Sequence, residues 1–258
     1  MCKLYGTGFT KLKLVDEHTV SPYQKMPEND CAYIDMQRAK NEIALYDTNS
    51  KETVYGIDAM IAIISQQNKA FKKLLKLLRP ILLIIYKFIS YNRKVIYPAK
   101  MKDNERDCTP DFHLTYRWVY ILTVALFTGW VLHEYIGQIY LAFGLTNSWQ
   151  QEVMVCFGQI LWQSLAIYFL NRKHTIEYLG NMSTVSLLGS LLLLPPLLIQ
   201  LYSGVHVLYL LICFMVVVSL MLLEHIRRCK LKNFPAALSV SWVLYRTFVL
   251  VIIFPTVL

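Results

Sequence analysis

Long apolar runs in the second half of the chain constrain its fold more than any other feature. Between residues 115 and 258, charged side chains are few and cluster between these runs. A helix needs about 20 mainly apolar residues to cross the hydrocarbon core of a bilayer. This half therefore predicts an all-α domain over 116–258, a bundle of about five transmembrane helices. The predicted spans are 116–140, 152–170, 182–201, 205–223 and 237–258.

The connections between the predicted spans alternate in charge. Those at 146–151 and 202–204 contain no Lys or Arg, whereas those after the second and fourth spans are basic. Positively charged loops stay on the cytoplasmic side, and residues 1–20 lack the apolar core of a signal peptide. We therefore expect a multi-pass protein of the bacterial inner membrane, with its N-terminus in the cytoplasm and its C-terminus outside. The basic residues are Arg172, Lys173 and His174 in one connection and Arg227, Arg228, Lys230 and Lys232 in the other.

The composition agrees with a membrane protein and argues against nucleic-acid binding. Hydrophobic residues make up 55% of the chain and charged residues 17%, whereas soluble domains carry about 25% charged residues. The formal net charge is +9, but the basic residues form no repeated motif and many lie beside apolar runs. The expected partner is the lipid bilayer, and no nucleic-acid partner is predicted.

Several polar side chains interrupt the predicted spans. His133 and Glu134 fall in the first span, and Arg246 falls well inside the fifth. Gln159 and Gln163 are four residues apart, so they share one face of the second helix. A charge inside lipid costs at least about 2.5 kcal/mol and normally faces protein or a cavity. These residues predict either a proton, ion or quinone site or polar contacts between helices, and Glu134 with Arg246 is a candidate ion pair.

Proline and tryptophan residues add two structural predictions for the spans. Pro195 and Pro196 lack the N–H group that a helix needs, so they are expected to break the third span. Trp118, Trp149 and Trp242 lie near span ends, where an amphipathic ring suits the membrane–water interface. The prolines therefore predict a kink within the bundle. The tryptophans predict where along the helices the two membrane surfaces lie.

The N-terminal half has an ordinary polar composition and predicts a small water-facing domain. A short helix is expected within 3–14. Strand-forming residues at 43–47 and 52–55 flank a turn, which is typical of a β-hairpin. A further helix is expected over 56–67, and a polar linker over 99–115 leads into the first span.

Residues 71–93 predict a second helix in this domain, with basic residues on one face and apolar residues over the rest. Pro80 is expected to kink or divide it. A basic amphipathic helix beside a membrane domain suits the anionic inner surface of a bilayer. The alternative is that the helix packs against the sheet of its own domain. The basic residues are Lys72, Lys76, Arg79 and Lys87, and the apolar ones are Leu74, Leu75, Leu78, Leu82, Ile85 and Phe88.

The cysteines form no Cys-x-x-Cys pair within the sequence and show no zinc-ligand spacing with a histidine. No metal or other cofactor is therefore predicted. Cys156 and Cys213 fall inside apolar runs, where a cysteine is usually a small buried apolar residue. The six cysteines are Cys2, Cys31, Cys108, Cys156, Cys213 and Cys229.

Short blocks of residues form a pattern over 1–98: Cys2–Tyr5, Phe9, Ile34, Asp35, Arg38, Asn41–Ile43, Tyr55–Ala59 and Ile89–Lys94. This pattern resembles the DCC family of thiol-disulfide oxidoreductases, also known as DUF393. The segment from Tyr55 and the block Ser90–Arg93 are its most specific parts. The resemblance implies an α/β thioredoxin-like domain over 1–98, in which a Cys-x-x-Cys motif begins a helix. The membrane half is not covered by it.

The resemblance assigns Cys2 to the second cysteine of that motif, with Met1 just before it. The first strand, the aspartate and the first cysteine of the family pattern have no counterpart. This implies either a start codon assigned too late or a real truncation. In a complete pair, the first thiolate attacks a disulfide and the second resolves the mixed disulfide. Cys2 alone is expected to form a mixed disulfide, or to pair with Cys31 if the fold brings them close.

Two functional hypotheses follow from these observations. In the first, the chain is a membrane-anchored thiol-disulfide oxidoreductase with Cys2 as its catalytic residue and a protein thiol or disulfide as its partner. In the second, it is a non-enzymatic thioredoxin-like scaffold in a membrane assembly or transport role. With Cys2 alone, we expect little or no dithiol activity. A small transporter is disfavoured, because five spans without a repeat do not resemble the duplicated transporter folds.

Overall fold

The structure is a computed structural model that describes residues 2–16, 19–20, 33–65, 69–98 and 111–253. The chain forms two compact units, Met1–Tyr116 and Arg117–Leu258, called here unit 1 and unit 2. Helices dominate both units. Within the described residues there is one β-sheet, which has two strands and lies in unit 1.

Unit 1 contains the predicted hairpin between short helices and one long helix. The hairpin is confirmed: its strands pair antiparallel, with Leu45 opposite Val54. The Asp47 carboxylate holds the turn, because it accepts hydrogen bonds of 2.9 Å from the Asn49 N–H and the Ser50 hydroxyl. The elements are α1 (Cys2–Lys11), α2 (Met36–Asn41), β1 (Ala44–Tyr46), β2 (Thr53–Tyr55), α3 (Gly56–Ser65) and α4 (Lys69–Ile96).

The α3 helix supplies most of the core of unit 1. Ile57, Ala59, Ile61 and Ile63 are each at most 8% exposed, because α3 packs against both strands of the hairpin and against α4. Burying an isoleucine side chain contributes roughly 1.5–3 kcal/mol relative to leaving it exposed. The helix predicted over 56–67 is confirmed for Gly56–Ser65, and residues 66 and 67 lie outside the described residues.

The thioredoxin-like sheet implied by the family resemblance is not seen in the described part of unit 1. There, β1 and β2 have three residues each. A two-stranded ribbon of this size needs a neighbouring element for stability, and α3 provides it. The short helix predicted within 3–14 is confirmed in part, because α1 covers this region only as far as Lys11.

The α4 helix corrects one prediction. It is continuous from Lys69 to Ile96 and contains Pro80, so the proline does not divide it. The missing N–H of Pro80 removes the bond to the carbonyl of Lys76. Both residues are exposed, so water can satisfy that carbonyl and the helix continues.

Unit 2 is all-α. Three stretches are long and apolar enough to cross a membrane: Leu114–Ala142, Trp149–Ser203 and Val207–Leu231. The protein is therefore a membrane protein by the length and composition of its helices. The elements are α5 (Leu114–Ala142), α6 (Trp149–Asn171), a 3-10 turn (Arg172–His174), α7 (Thr175–Ser203), α8 (Val207–Leu231) and α9 (Ala237–Ile253).

The long middle stretch folds back on itself at the 3-10 turn. The Tyr178 hydroxyl on α7 donates to Gln163 Oε1 on α6 over 2.6 Å. Fifteen residues along one straight helix would separate these two positions by about 22 Å. The chain therefore reverses between them, and α6 and α7 form an antiparallel helical hairpin.

Contacts between the other helices give alternating directions. Tyr245 on α9 donates to the Val155 carbonyl on α6, and Trp162 on α6 donates to the Ser241 hydroxyl on α9. These pairs progress in opposite senses, so α6 and α9 are antiparallel. The α7 and α8 helices are also antiparallel and approach closely where Gly189 faces the Met221 side chain.

One prediction about the spans is wrong. The α7 helix continues through Pro195 and Pro196, because the fixed φ of proline is itself helical and neighbouring helices tolerate the lost hydrogen bonds. Trp242 faces the neighbouring helices, and its place at a membrane surface stays a prediction. It is 2% exposed and stacks on the His225 ring with centroids 5.9 Å apart, because it shares the buried face of α9 with Leu238, one turn earlier.

Gly56 allows a direct test of the unit 1 architecture. Its φ is +63°, and a Cβ there would meet Glu42 Oε2 at 2.8 Å. We expect Gly56→Ala to lower the free energy of unfolding of unit 1 by about 1–2 kcal/mol, because a residue with a Cβ is strained at positive φ. Hydrogen exchange of the α3 amides in the full-length protein measures this change.

Gly8→Ala is the matched control for this substitution. Gly8 is helical, and a Cβ there would meet nothing within 4 Å. Alanine at this position should be neutral or stabilise the helix by up to about 1 kcal/mol. Equal destabilisation by both substitutions would contradict the assigned conformation of Gly56.

Candidate functional site

The cysteine assigned by the family resemblance lies at the start of a helix. The α1 helix begins at Cys2. Cys31 and Cys108 fall outside the described residues, so the pairing of Cys2 with Cys31 stays a prediction. Three further cysteines, Cys156, Cys213 and Cys229, belong to unit 2 and are free thiols.

Several of the residues that carry the family resemblance contact one another in unit 1. The Asp35 N–H donates to the Tyr55 hydroxyl over 2.7 Å, and the Arg38 guanidinium lies 4.5 Å from the centroid of the Tyr55 ring. The Asp35 carboxylate caps α2 by accepting from the N–H groups of Gln37 and Arg38. The part of the pattern at Asp35 and Arg38 is therefore held against the hairpin.

The closing block on α4 binds the same segment from the other side. The Ser90 hydroxyl donates to the Asn41 carbonyl, and the Arg93 guanidinium donates to the Lys40 carbonyl. The Tyr86 hydroxyl, one turn before Ser90, accepts from the Ile43 N–H over 2.9 Å. Residues about 50 positions apart in sequence thus fix the segment 35–43 between the hairpin and α4, and we call this set the motif cluster.

Two carboxylates reinforce the motif cluster. Arg79 binds Asp58 through two hydrogen bonds of 2.7 Å, and these bonds hold the pKa of Asp58 below its usual range. Hydrogen bonds from Asn41 and then Lys40 lower the pKa of Asp111 in the same way. Both pairs are solvent-exposed, and exposed ion pairs add little stability. These two ion pairs orient the chain, and neither of them supplies a nucleophile.

A second polar cluster lies buried where four helices of unit 2 meet, and we call it the Tyr178 network. The Tyr178 hydroxyl donates to Gln163 and lies 3.1 Å from His225 Nε2. His225 Nδ1 lies 3.1 Å from the Ser239 hydroxyl. Tyr178 has one proton to give, so His225 carries its proton on Nε2 and accepts at Nδ1 from Ser239. The network joins α6, α7, α8 and α9 through neutral groups.

The basic connections of the sequence lie beside this network. Lys232 pairs with Glu177 over 3.2 Å, and Arg228 donates to Glu224 over 2.7 Å and to Asn181 over 3.2 Å. The start of α7 and the end of α8 therefore share one charged end of unit 2. Arg228 is only 3% exposed, so part of the basic loop has a structural role.

The five predicted intramembrane residues are not gathered into one site. His133 lies beside the connection between α5 and α6, with Nδ1 3.2 Å from Asn147 Nδ2, whereas Gln163 belongs to the Tyr178 network. Gln159 is 3% exposed, and its amide has no hydrogen-bond partner among the described residues. Arg246 lies 5.1 Å from the centroid of the Trp242 ring.

The predicted ion pair between Glu134 and Arg246 is absent from the described residues. The α9 helix begins at the charged end of unit 2, so Arg246 lies about 14 Å along it. Glu134 lies about 30 Å along α5, near the neutral end where Asn147 contacts His133. The two groups are therefore at different depths in the bundle.

Sequence reasoning missed the centre of the Tyr178 network. The fourth predicted span ended at residue 223, so His225 was counted as part of a loop. Tyr178 was missed in the same way, because the third predicted span began only at residue 182. A longer span, which the 25 residues of α8 require, would have placed the imidazole inside the bundle and marked it as a candidate.

Tyr178 and Gln159 make opposite predictions for the stability of unit 2. Tyr178→Phe removes the hydroxyl and leaves Gln163 and His225 without that partner, so we expect a loss of about 1–3 kcal/mol. Gln159→Met replaces an amide that makes no described hydrogen bond, and should be neutral or stabilising. Thermal unfolding of the purified full-length protein in detergent measures both changes.

Tyr202→Phe is the control for removal of a tyrosine hydroxyl. Tyr202 is 94% exposed, so its variant should unfold at the temperature of the parent. If Gln159→Met destabilises the protein as much as Tyr178→Phe, then the Gln159 amide has a partner outside the described residues.

Comparison with known proteins gives no identification. No protein-family model, no curated protein and no solved structure matches this chain. The resemblance to the DCC family therefore rests on the residues of the motif cluster and on Cys2.

Proposed function

We propose that this chain is a membrane-anchored protein of thiol–disulfide chemistry, in which Cys2 is the reactive residue. The observation that supports this most is the motif cluster. Residues recognised in sequence as a DCC-like pattern contact one another across 20 positions of chain, between Asp35 and Tyr55, and across 49 positions, between Asn41 and Ser90. Residues that matched the pattern only by chance would not be expected to contact one another in the fold. Thiolates are favoured at helix N-termini, and α1 begins at Cys2.

The Cys2 thiol by itself can carry out one exchange. The Cys2 thiolate attacks one sulfur of a partner disulfide, a new S–S bond forms, and the other partner sulfur leaves as a thiolate. Resolution then requires a second thiol, from the partner protein or from a small thiol such as glutathione. The partner is accordingly a protein thiol or disulfide, and the reaction needs no metal or cofactor.

The alternative is a non-enzymatic scaffold. The motif cluster itself favours it, because its members hold the segment 35–43 in place and none of them is a nucleophile. The two-stranded hairpin of the described part of unit 1 also departs from the thioredoxin-like sheet. In this function, unit 1 would present a fixed surface to a membrane assembly, and Cys2 would have no special reactivity.

Mixed-disulfide formation separates these two functions. We expect the full-length protein, incubated with glutathione disulfide, to carry glutathione on Cys2 faster than on its other cysteines, as measured by peptide mass spectrometry over time. Cys2→Ser should abolish the fast phase, whereas Cys213→Ser, which changes a half-buried thiol inside α8, should retain it. Modification of Cys2 at the rate of an ordinary free thiol would favour the scaffold.

We further propose that unit 2 crosses the bilayer five times, with the N-terminus in the cytoplasm and the C-terminus outside. The α6–α7 hairpin supports two crossings in the 55-residue stretch Trp149–Ser203. The ion pair of Lys232 with Glu177 supports one basic, cytoplasmic end. The α9 helix has 17 described residues, about 26 Å, which nearly matches the hydrocarbon core. We infer the bacterial inner membrane as the location.

Paired topology reporters test this arrangement. Alkaline phosphatase fused after Leu258 should be active, because it requires export, whereas green fluorescent protein at the same position should be dark. Fusions made after Lys232, at the charged end, should give the reverse result. Bright green fluorescent protein after Leu258 would place the C-terminus in the cytoplasm. Unit 2 would then have one crossing fewer or the opposite orientation.

A further inference from the structure

One face of α4 is left uncovered by the described rest of unit 1. The opposite face packs against α3 and donates hydrogen bonds from Ser90 and Arg93. Leu77 is 76% exposed and Ile84 is 65% exposed, although leucine and isoleucine are normally buried. The sheet of unit 1 packs against α3, so it does not cover these residues. The uncovered residues, called here the α4 stripe, are Leu74, Leu77, Leu78, Ile81, Ile84 and Ile85.

The α4 stripe is a continuous surface with a basic border. Its members recur at spacings of three, four and seven, which place them on one side of an α-helix. Lys72, Lys73 and Lys76 are exposed near its N-terminal end. At 3.6 residues per turn, Lys73 falls at one edge of the stripe, whereas Lys76 lies beyond that edge on the basic side of the helix. From Lys69 to Ile96 the helix has no acidic residue, so every charge that α4 itself carries is positive.

We propose that the α4 stripe binds the anionic lipid surface of the bilayer in which unit 2 is embedded. Helices that lie in a membrane interface have an apolar face that enters the acyl boundary and a polar face rich in lysine and arginine. Long lysine side chains beside such a face reach outward to lipid phosphates. A protein partner would be expected to oppose this surface with acidic groups, whereas a bilayer supplies both the apolar layer and the negative charge at once.

The connection to the membrane domain favours this occupant. The end of α4 lies next to the first turn of α5, because the Asn92 side chain donates to the Tyr116 carbonyl over 3.0 Å. The start of this candidate membrane-spanning helix therefore keeps α4 at a high effective concentration next to the bilayer surface. The surface is therefore available without a binding partner in solution, and the inference does not depend on the proposed thiol chemistry.

Amine labelling of the full-length protein in nanodiscs tests the proposal. Discs of phosphatidylcholine alone are compared with discs that also contain phosphatidylglycerol, and both leaflets are equivalent, so the orientation of the protein does not matter. Mass spectrometry gives the labelling rate of each lysine. We expect Lys73 to label at least about five-fold more slowly in anionic discs at low salt, with the difference largely removed at high salt. Lys51, exposed at the hairpin turn, is the internal control and should not change.

Two results of this experiment would overturn the proposal. Equal labelling of the α4 lysines in both kinds of disc, at the rate of Lys51, would show that the helix stays in water. Slow labelling in neutral discs as well would show that unit 2 or a second copy of the chain covers the stripe.

Substitutions within the stripe separate lipid insertion from attraction of the lysines alone. Leu77→Glu together with Ile84→Glu should abolish the five-fold protection, and both side chains are exposed, so the fold is retained. Leu12→Glu, at a residue outside α4 that is 68% exposed, should leave the protection intact. Protection that survives the double substitution would contradict binding through the stripe.

Discussion

The Tyr178 hydroxyl is the contact on which the arrangement of unit 2 depends. It links α6 to α7 through Gln163 and α7 to α8 through His225, and Ser239 extends the link to α9. In lipid, apolar side chains provide no net drive for helices to associate, so packing and interhelical hydrogen bonds must hold them. The Tyr178 network is a buried chain of hydrogen-bonded side chains in which each donated proton has an acceptor, so it can hold the four helices together. Stacking of Trp242 on the His225 ring adds an apolar cover over the same point.

Unit 1 is organised by a different principle, in which polar groups far apart in sequence fix one short segment. Tyr55 and Asp35 hold it from the hairpin, and Ser90 and Arg93 hold it from α4. The α4 helix consequently has two functions on opposite faces. One face positions the motif cluster beside α3, and the other presents exposed leucine and isoleucine side chains.

Features that depend on one helix or one turn were predictable from the sequence. The apolar runs predicted where unit 2 has helices, and the turn residues from Asp47 to Ser50 predicted the hairpin. Features that depend on neighbouring elements were not predictable in the same way. Trp242 resembles an interfacial tryptophan in sequence, but the face of α9 that it shares with Leu238 turns it inward. Pro195 and Pro196 carry a strong local signal for a break, which the surrounding bundle overrides.

The family resemblance shows a similar division. Asp35, Tyr55, Ser90 and Arg93 were singled out in sequence and make contacts in the structure, while the family itself stays a prediction. Lys40, Tyr86 and Asp111 take part in the same cluster without any local signal, because their roles appear only when distant segments meet. The sheet expected from the resemblance was an inference about topology, and short motifs constrain topology less than they constrain local contacts.

The three-residue turn between α6 and α7 bears on the order in which the membrane domain is assembled during synthesis. If α6 entered the bilayer alone, the Gln163 carboxamide would face hydrocarbon without its Tyr178 partner, at a cost of several kcal/mol. The turn at Arg172–His174 brings that partner within a few residues of the end of α6. Insertion of the two helices as one hairpin avoids the unfavourable intermediate, and a longer insertion in the turn would delay the moment at which the amide is satisfied.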